Sequence, residues 1–173
     1  VHLQALLREL REAQTMTMAK LPNTGQAVII DIGEGKDIHP RNKVDVGMRL
    51  ARWALANEYG LQIPFRSPEY QSIETSGNQI ILSFANVNRG WRPFDTNELK
   101  GFTIAGEDQK FVNATATLMK DGRIAVSAET ISDPKSVRYG WANNPKVNLY
   151  DRSDLPLTPF RTDDWPGVTI NKH

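Results

Sequence analysis

One short apolar run near the N-terminus limits the folds that this chain can adopt. Residues 27–32 read Ala-Val-Ile-Ile-Asp-Ile, so that five of the six side chains are apolar. Such a run, followed by a glycine-containing loop, is typical of a parallel β-strand that is covered on both faces. A single strand cannot make a sheet, so the neighbouring strands have to come from other residues.

Two helical patterns flank this run. The first places apolar residues at helical spacing before the run: Leu3, Leu6, Leu7, Leu10, Ala13 and Met16. After a loop over residues 33–40, Asn42 and Asp45 have the spacing of a capping box, and Gly60 ends the second helix after Tyr59. Its predicted buried stripe comprises Val44, Met48, Ala51 and Leu55. Residues 1–60 are thus predicted to form the edge of an α/β sheet, and we expect the chain to be part of a longer protein.

From residue 61 onward the pattern changes to short strands and turns. We predict strands over residues 79–87 and 136–141, the first of them preceded by a turn at Gly77-Asn78. Asp121-Gly122 indicates a hairpin between a strand ending at Leu118 and one beginning at Ile124. The proline-rich tail, residues 151–173, is predicted to lie irregularly over the surface. Residues 61–173 are therefore interpreted as an antiparallel β-sandwich-like domain.

Composition excludes several classes of function. Twenty-one basic against 20 acidic residues give a net charge of +1, which leaves no electrostatic signature of nucleic-acid binding. The apolar run is too short for membrane insertion. The chain has no cysteine and only three histidines, two of them within two residues of its ends, so that a zinc site is not expected.

The histidine count also selects a candidate catalytic residue. His39 is the one histidine away from the chain ends, and it follows the predicted strand, where ligand sites of open α/β sheets collect. Asp37, two residues earlier, could orient the His39 imidazole and stabilise its protonated form. The alternative is that His39-Pro40 is a helix-entry turn in which the imidazole bonds a local carbonyl.

Several segments resemble the closing part of the sialate O-acetylesterases, a family of SGNH-type carbohydrate esterases. They are residues 10–14 (LREAQ), 21–25 (LPNTG), 37–43 (DIHPRNK), 99–106 (LKGFTIAG), 137–142 (VRYGWA) and 159–165 (PFRTDDW). The resemblance implies that residues 1–60 close a three-layer α/β/α hydrolase domain and that residues 61–173 form an accessory domain. It also implies that His39 is the triad base.

Two departures accompany the resemblance. SGNH hydrolases commonly place the triad acid three residues before the histidine, where this chain has Lys36, so Asp37 becomes the substitute. None of the eight serines lies in a Gly-Asp-Ser-like block, so the nucleophile and the oxyanion hole are expected in the missing N-terminal part of the same hydrolase domain.

The resemblance therefore implies an esterase that acts on O-acetylated sugars. The 9-O-acetyl group of sialic acid is the first candidate, acetylated plant-type glycans are the second, and no metal or organic cofactor is involved. It also implies a secreted or periplasmic location. The competing hypothesis is a non-catalytic carbohydrate-binding or structural β-sandwich module, which would have no need of a sheet edge that carries a histidine loop.

Overall fold

The computed structural model describes residues 3–35, 37 and 39–167, with side chains from residue 7 onward. Its first element is helix α1, Leu3–Lys20, whose cationic last residue suits the negative end of the helix dipole. A turn follows, in which Asn23 adopts a left-handed conformation with φ of 57°. None of the described helices is long and apolar enough to cross a membrane.

Helix α2 spans Lys43–Asn57, and its start confirms Asn42 as the predicted cap, with Asp45 as its partner. The Asn42 side chain accepts a hydrogen bond from Asp45 N at 3.1 Å and donates one to Asp45 Oδ2 at 2.7 Å. These bonds satisfy a backbone donor that the first helical turn leaves without an intrahelical partner. The helix ends two residues earlier than predicted, ahead of Gly60 at φ of 69°.

The predicted strand over residues 27–32 is not formed. This segment lies between the helices as irregular chain that turns at residues 30–32, and no described strand pairs with it. A parallel strand exists only through hydrogen bonds to its neighbours, and the described part of the chain supplies none. The apolar pattern was therefore a correct sign of burial at Val28, but an insufficient basis for predicting a strand.

The predicted buried stripe of α2 is also wrong. Val44 and Met48 are 74% and 56% exposed, and Ala51 and Leu55 are exposed as well. The residue of this helix that is buried is Arg49. On α1, Leu7, Leu10 and Met16 are likewise exposed, whereas the side chains of Leu3 and Leu6 lie outside those described. An amphipathic pattern identifies the apolar face of a helix but not whether the same chain covers it.

The described residues after α2 form ten short strands. In chain order they are β1 Glu69–Ser76, β2 Gln79–Ala85, β3 Trp91–Pro93, β4 Phe102–Ala105, β5 Val112–Asn113, β6 Thr115–Leu118, β7 Ile124–Ser127, β8 Ser136–Tyr139, β9 Leu149–Asp151 and β10 Phe160–Arg161. All pairings are antiparallel, in two four-stranded sheets of order β1-β2-β7-β6 and β10-β8-β4-β5, with β3 paired to β9.

Local turn chemistry sets the register of these strands, as predicted. Ser76 pairs with Gln79 across Gly77, and Leu118 pairs with Ile124 across the Asp121-Gly122 turn. Both glycines have positive φ, of 58° and 87°, which favours glycine over residues with a side chain. The predicted strands at 79–87 and 136–141 are found with shorter C-terminal ends, because Asn86 and Gly140 adopt φ of 60°.

One hydrophobic cluster joins the two large sheets. Ile80 and Val126 enter it from the first sheet, and Ile104 and Tyr139 enter it from the second. Two packed antiparallel sheets that share a core are the arrangement of a β-sandwich. The tail departs from the prediction, because Leu157 and Phe160 are buried in this cluster and residues 160–161 form β10. The apolar residues between the prolines of the tail, such as Leu157, are thus part of the core and do not lie on the surface.

The shared core generates a stability prediction. Ile104 is fully buried in β4, whereas Ile73 in β1 is 37% exposed, so the same truncation should have different consequences. We expect Ile104→Ala to lower the free energy of unfolding by about 2–5 kcal/mol because it leaves a cavity. Ile73→Ala should cost about 1 kcal/mol or less. Urea unfolding followed by tryptophan fluorescence measures both, and equal losses would contradict a core centred on β4.

Candidate active site

The loop between residues 31 and 42 brings the two predicted catalytic side chains together. Asp37 Oδ1 accepts a hydrogen bond from the backbone N–H of His39 at 2.8 Å and lies 3.6 Å from His39 Nδ1. An aspartate that bonds the backbone two residues later forms a common local turn. The His39 side chain is 80% exposed and that of Asp37 is 51% exposed, so both are accessible to solvent. Their roles in catalysis stay predictions.

Glu34 closes the same loop from its other side. Its carbonyl accepts from Asp37 N at 3.1 Å, and its carboxylate accepts from the backbone N–H of Arg41 at 2.8 Å. The loop also passes close to the β region, since a Cβ atom on Gly35 would lie 2.6 Å from Asn144 Nδ2. His39 is thus carried on a loop whose stem is held by several polar contacts.

A buried ion pair lies at the base of this loop. Arg49 of α2 donates to both carboxylate oxygens of Asp31, at 2.7 and 2.6 Å, and to the carbonyl of Val28 at 2.5 Å. The two side chains are 9% and 2% exposed. Tyr150 of β9 donates a further hydrogen bond to Asp31 Oδ2 at 2.9 Å. Burial and then the neighbouring Asp31 carboxylate raise the pKa of Tyr150 above its ordinary range, so its hydroxyl stays a donor.

Sequence reasoning missed this ion pair, although a signal was present. Asp31 is the one charged residue inside the apolar run, and a buried carboxylate requires a cationic or hydrogen-bonding partner. That partner, Arg49, lies on the side of α2 that the hydrophobic pattern assigned to solvent. The pattern of charges alone could not show which of the arginines would meet Asp31.

Among the residues that the structure describes, no serine nucleophile is bonded to His39. In residues 3–35, 37 and 39–167, no hydrogen bond joins a serine hydroxyl to the imidazole. Ser136, for example, bonds Thr162 and Asp163 in the β region. Within the same ranges, no group of three histidine, aspartate or glutamate side chains is placed to hold a metal ion.

Two arginines of the β region, which could otherwise meet an anionic ligand, form intramolecular ion pairs. Arg138 makes a bidentate contact with Asp163 at 2.8 and 2.7 Å. Arg161 lies 3.6 Å from Asp163 and donates to Glu12 of α1 at 2.7 Å. Burial raises the pKa of Asp163, but hydrogen bonds from Arg138 and Ser136 outweigh it and bring the pKa below the ordinary value of 3.8.

The tryptophans are engaged in packing. Trp91 belongs to the hydrophobic cluster and donates to the carbonyl of Gly122 at 2.8 Å. The guanidinium groups of Arg138 and Arg161 lie 5.5 and 5.7 Å from the Trp141 ring centroid. Trp165 packs on Phe111 with their ring centroids 5.6 Å apart. These contacts give Trp91, Trp141 and Trp165 a structural role.

Comparison with solved structures places the whole arrangement in context. The chain is similar to XAC1771, described as a novel carbohydrate acetylesterase from Xanthomonas citri, with 43% sequence identity and a TM-score of 0.86. The match covers 91% of this chain but 36% of the other, so the chain spans about a third of the length of that structure. No protein-family model matches the chain. No curated protein matches it either.

The Asp163 contacts generate a prediction about stability and pH. Asp163→Asn removes the negative charge that two arginines face, so we expect a loss of about 1.5–3 kcal/mol in unfolding free energy near neutral pH. Because the folded-state pKa is depressed, the stabilisation is present above the ordinary carboxyl pKa and is lost as pH falls through the lower, folded value. The difference from the unaltered chain should therefore be constant at about pH 5–7 and shrink in stronger acid.

Urea titrations over this pH range measure the effect. Asp108→Asn is the matched control, since Asp108 is an exposed carboxylate 3.9 Å from Lys110 and should contribute little. A loss that persists unchanged at the lowest pH would contradict the depressed pKa of Asp163.

Proposed function

We propose that this chain is the C-terminal part of a serine carbohydrate O-acetylesterase. The observation that carries the proposal is the 43% identity with a carbohydrate acetylesterase over 91% of the chain. The Asp37–His39 pair supports it, because an esterase triad needs a histidine whose Nδ1 faces a carboxylate. The removal of acetyl groups from O-acetylated sugars is the proposed reaction.

His39 and Asp37 have the following roles in the proposed mechanism. A serine from the remainder of the hydrolase domain attacks the acetyl carbonyl, and His39 Nε2 takes the serine proton. Asp37 stabilises the imidazolium from the Nδ1 side. The tetrahedral intermediate then expels the sugar oxygen, which receives the proton from His39. Water repeats the cycle on the acetyl-enzyme and releases acetate.

The exposed apolar helix faces support the same proposal. Leu7 and Leu10 on α1 and Val44 and Met48 on α2 are exposed, although their spacing is that of a core. A sheet-bearing hydrolase domain would cover them and would supply strand neighbours for residues 27–32. In this proposal residues 1–60 complete an SGNH-type hydrolase domain, and residues 61–173 form its β-sandwich-like accessory domain.

The role of His39 is testable in the full-length esterase. We expect His39→Ala to lower the turnover of a nitrophenyl acetate by several orders of magnitude, because the serine alone is a poor nucleophile. The exposed position of the side chain means that the melting temperature should change little. Asp37→Asn should cost less than, or as much as, the histidine change.

Two controls accompany these variants. Asp108→Asn, an exposed carboxylate change, should leave turnover unaltered. Residues 1–173 alone should show no hydrolysis above background, because no serine hydroxyl in the described residues hydrogen-bonds to His39. Near-normal turnover by His39→Ala would reject His39 as the base. A full-length protein that hydrolyses no acetyl ester would instead favour a carbohydrate-binding or structural module.

The sugar is proposed to be a sialic acid acetylated at its 9-position, on the basis of the sequence resemblance. Of the arginines considered for its carboxylate, Arg138 and Arg161 are already paired with Asp163. Arg41 is exposed, two residues from His39, and its Nε is 4.0 Å from Glu34. Arg41 is therefore the arginine that we assign to a sialate carboxylate.

A direct comparison of substrates tests this assignment. The full-length esterase should have a higher kcat/KM for 9-O-acetylated sialic acid than for acetylated xylose, and Arg41→Ala should remove most of that preference. Arg89→Ala, an exposed arginine change in the β region, is the control. A preference for acetylxylose that Arg41→Ala leaves unchanged would reject sialic acid while the acetylesterase proposal stands. From the resemblance alone we also propose a secreted or periplasmic location, which assays of cell fractions would check.

A further inference from the structure

We propose that Asp31, Arg49 and Tyr150, named here the anchor cluster, are positioning residues for the His39 loop. The inference rests on the proposed function, because it assigns a role in catalysis through His39. The Arg49 and Asp31 side chains are 9% and 2% exposed, so neither has a surface open to a substrate in the described chain. Their part is to fix the stem of the loop that carries the catalytic pair.

The connectivity of the chain is the first support. Asp31 lies where the chain enters the loop, and Arg49 lies in α2, the element that the chain enters on leaving it. The bidentate Arg49–Asp31 contact therefore ties the entry of the loop to the helix that follows it. Arg49 also donates a hydrogen bond to the Val28 carbonyl, so it holds the segment before the loop as well.

Tyr150 connects the same carboxylate to the β region. It lies in β9 between two buried residues, Leu149 and Asp151. Asp151 accepts hydrogen bonds from the backbone N–H groups of Asn88, Ser153 and Leu155, so this strand is held from several directions. Through its bond to Tyr150, the Asp31 carboxylate is thus located against a rigid part of the fold.

Energetics favour a positioning role over a purely stabilising one. Burying two charges has a large desolvation penalty, and apolar replacements of buried ion pairs are often neutral or stabilising. Such a pair does fix the relative orientation of its two side chains, because a bidentate guanidinium–carboxylate contact allows one orientation. His39 is four-fifths exposed, so the packing of its own side chain cannot supply that orientation.

The consequence for catalysis is a defined distance between the imidazole and the serine. Reacting groups have to be held about 3–3.5 Å apart, and a misplacement of about 1 Å can cost about 100-fold in rate. A loose loop stem would lower the fraction of time that His39 spends within reach of the serine. Substrate contacts made elsewhere would be unchanged, so the expected signature is a lower kcat with an unaltered KM.

Tyr150→Phe is the first test, because it removes one hydroxyl and keeps the ring that packs near Phe94. In the full-length esterase we expect kcat for a nitrophenyl acetate to fall about 3- to 10-fold at unchanged KM. Tyr59→Phe, at an exposed position, is the control and should leave both constants unchanged. Full kcat in Tyr150→Phe would overturn the part of the inference that concerns Tyr150.

Arg49 is tested with a pair of variants. Arg49→Lys keeps the charge but not the bidentate contact, and should lower kcat about 10- to 100-fold. Arg49→Met leaves Asp31 buried without a cation, so we expect a lower kcat still, with partial rescue in Arg49→Lys. If both variants keep full kcat below their melting temperatures, Arg49 contributes stability alone and the inference fails.

An exchange measurement separates this inference from the proposed function. Amide hydrogen exchange at residues 32–42 should accelerate in Arg49→Lys and Tyr150→Phe but not in Tyr59→Phe. If His39→Ala keeps normal turnover, the proposed role of His39 as the base fails, and the exchange data still show whether the cluster holds the loop. If His39→Ala abolishes turnover while the anchor variants keep full kcat, the positioning role fails and the esterase proposal stands.

Discussion

The contact between Arg49 and Asp31 holds together the part of the molecule that has no β-sheet of its own. Residues 27–32 have the composition of a buried strand but no strand neighbours in the described chain. Four side-chain hydrogen bonds hold this segment in place of a β-ladder. Arg49 bonds the Val28 carbonyl, Trp53 bonds the Gln26 carbonyl, and Arg49 makes two bonds to Asp31. A segment with unpaired backbone groups is thereby kept in a defined position against α2.

Hydrogen bonds from arginine side chains also attach both helices to the β region. Arg11 of α1 donates to the carbonyls of Ala142 and Asn143 at 2.8 and 2.5 Å, and Arg52 of α2 donates to that of Ser153 at 2.7 Å. Burial lowers the pKa of Arg11, which nonetheless stays cationic because its ordinary value is 12.5. Polar contacts therefore attach the helices, while several of their apolar residues, among them Leu10 and Met48, are exposed.

Sequence reasoning succeeded where the determining interactions are local. The helix cap at Asn42 and the turns at Gly77 and Gly122 depend on residues a few positions apart, and the structure confirms all three. It failed where the partner is distant in the sequence or is not found among the described residues. The strand at residues 27–32 needed neighbouring strands, and the role of Leu157 and Phe160 in the core needed β8 and β4 to be placed first.

In the candidate site, too, some contacts depend on nearby residues and others on residues far apart in the sequence. The proximity of Asp37 and His39 is a local property, because two residues of chain bring the carboxylate to the backbone N–H and to the Nδ1 side of the imidazole. The hydrogen bonds that connect the loop to the rest of the fold are not local, since Asp31, Arg49 and Tyr150 come from three separate stretches of sequence. A short motif can thus present a histidine and a carboxylate in many proteins. In our proposal a distant frame fixes where the imidazole points, and the contacts of that frame become visible only once the chain is folded.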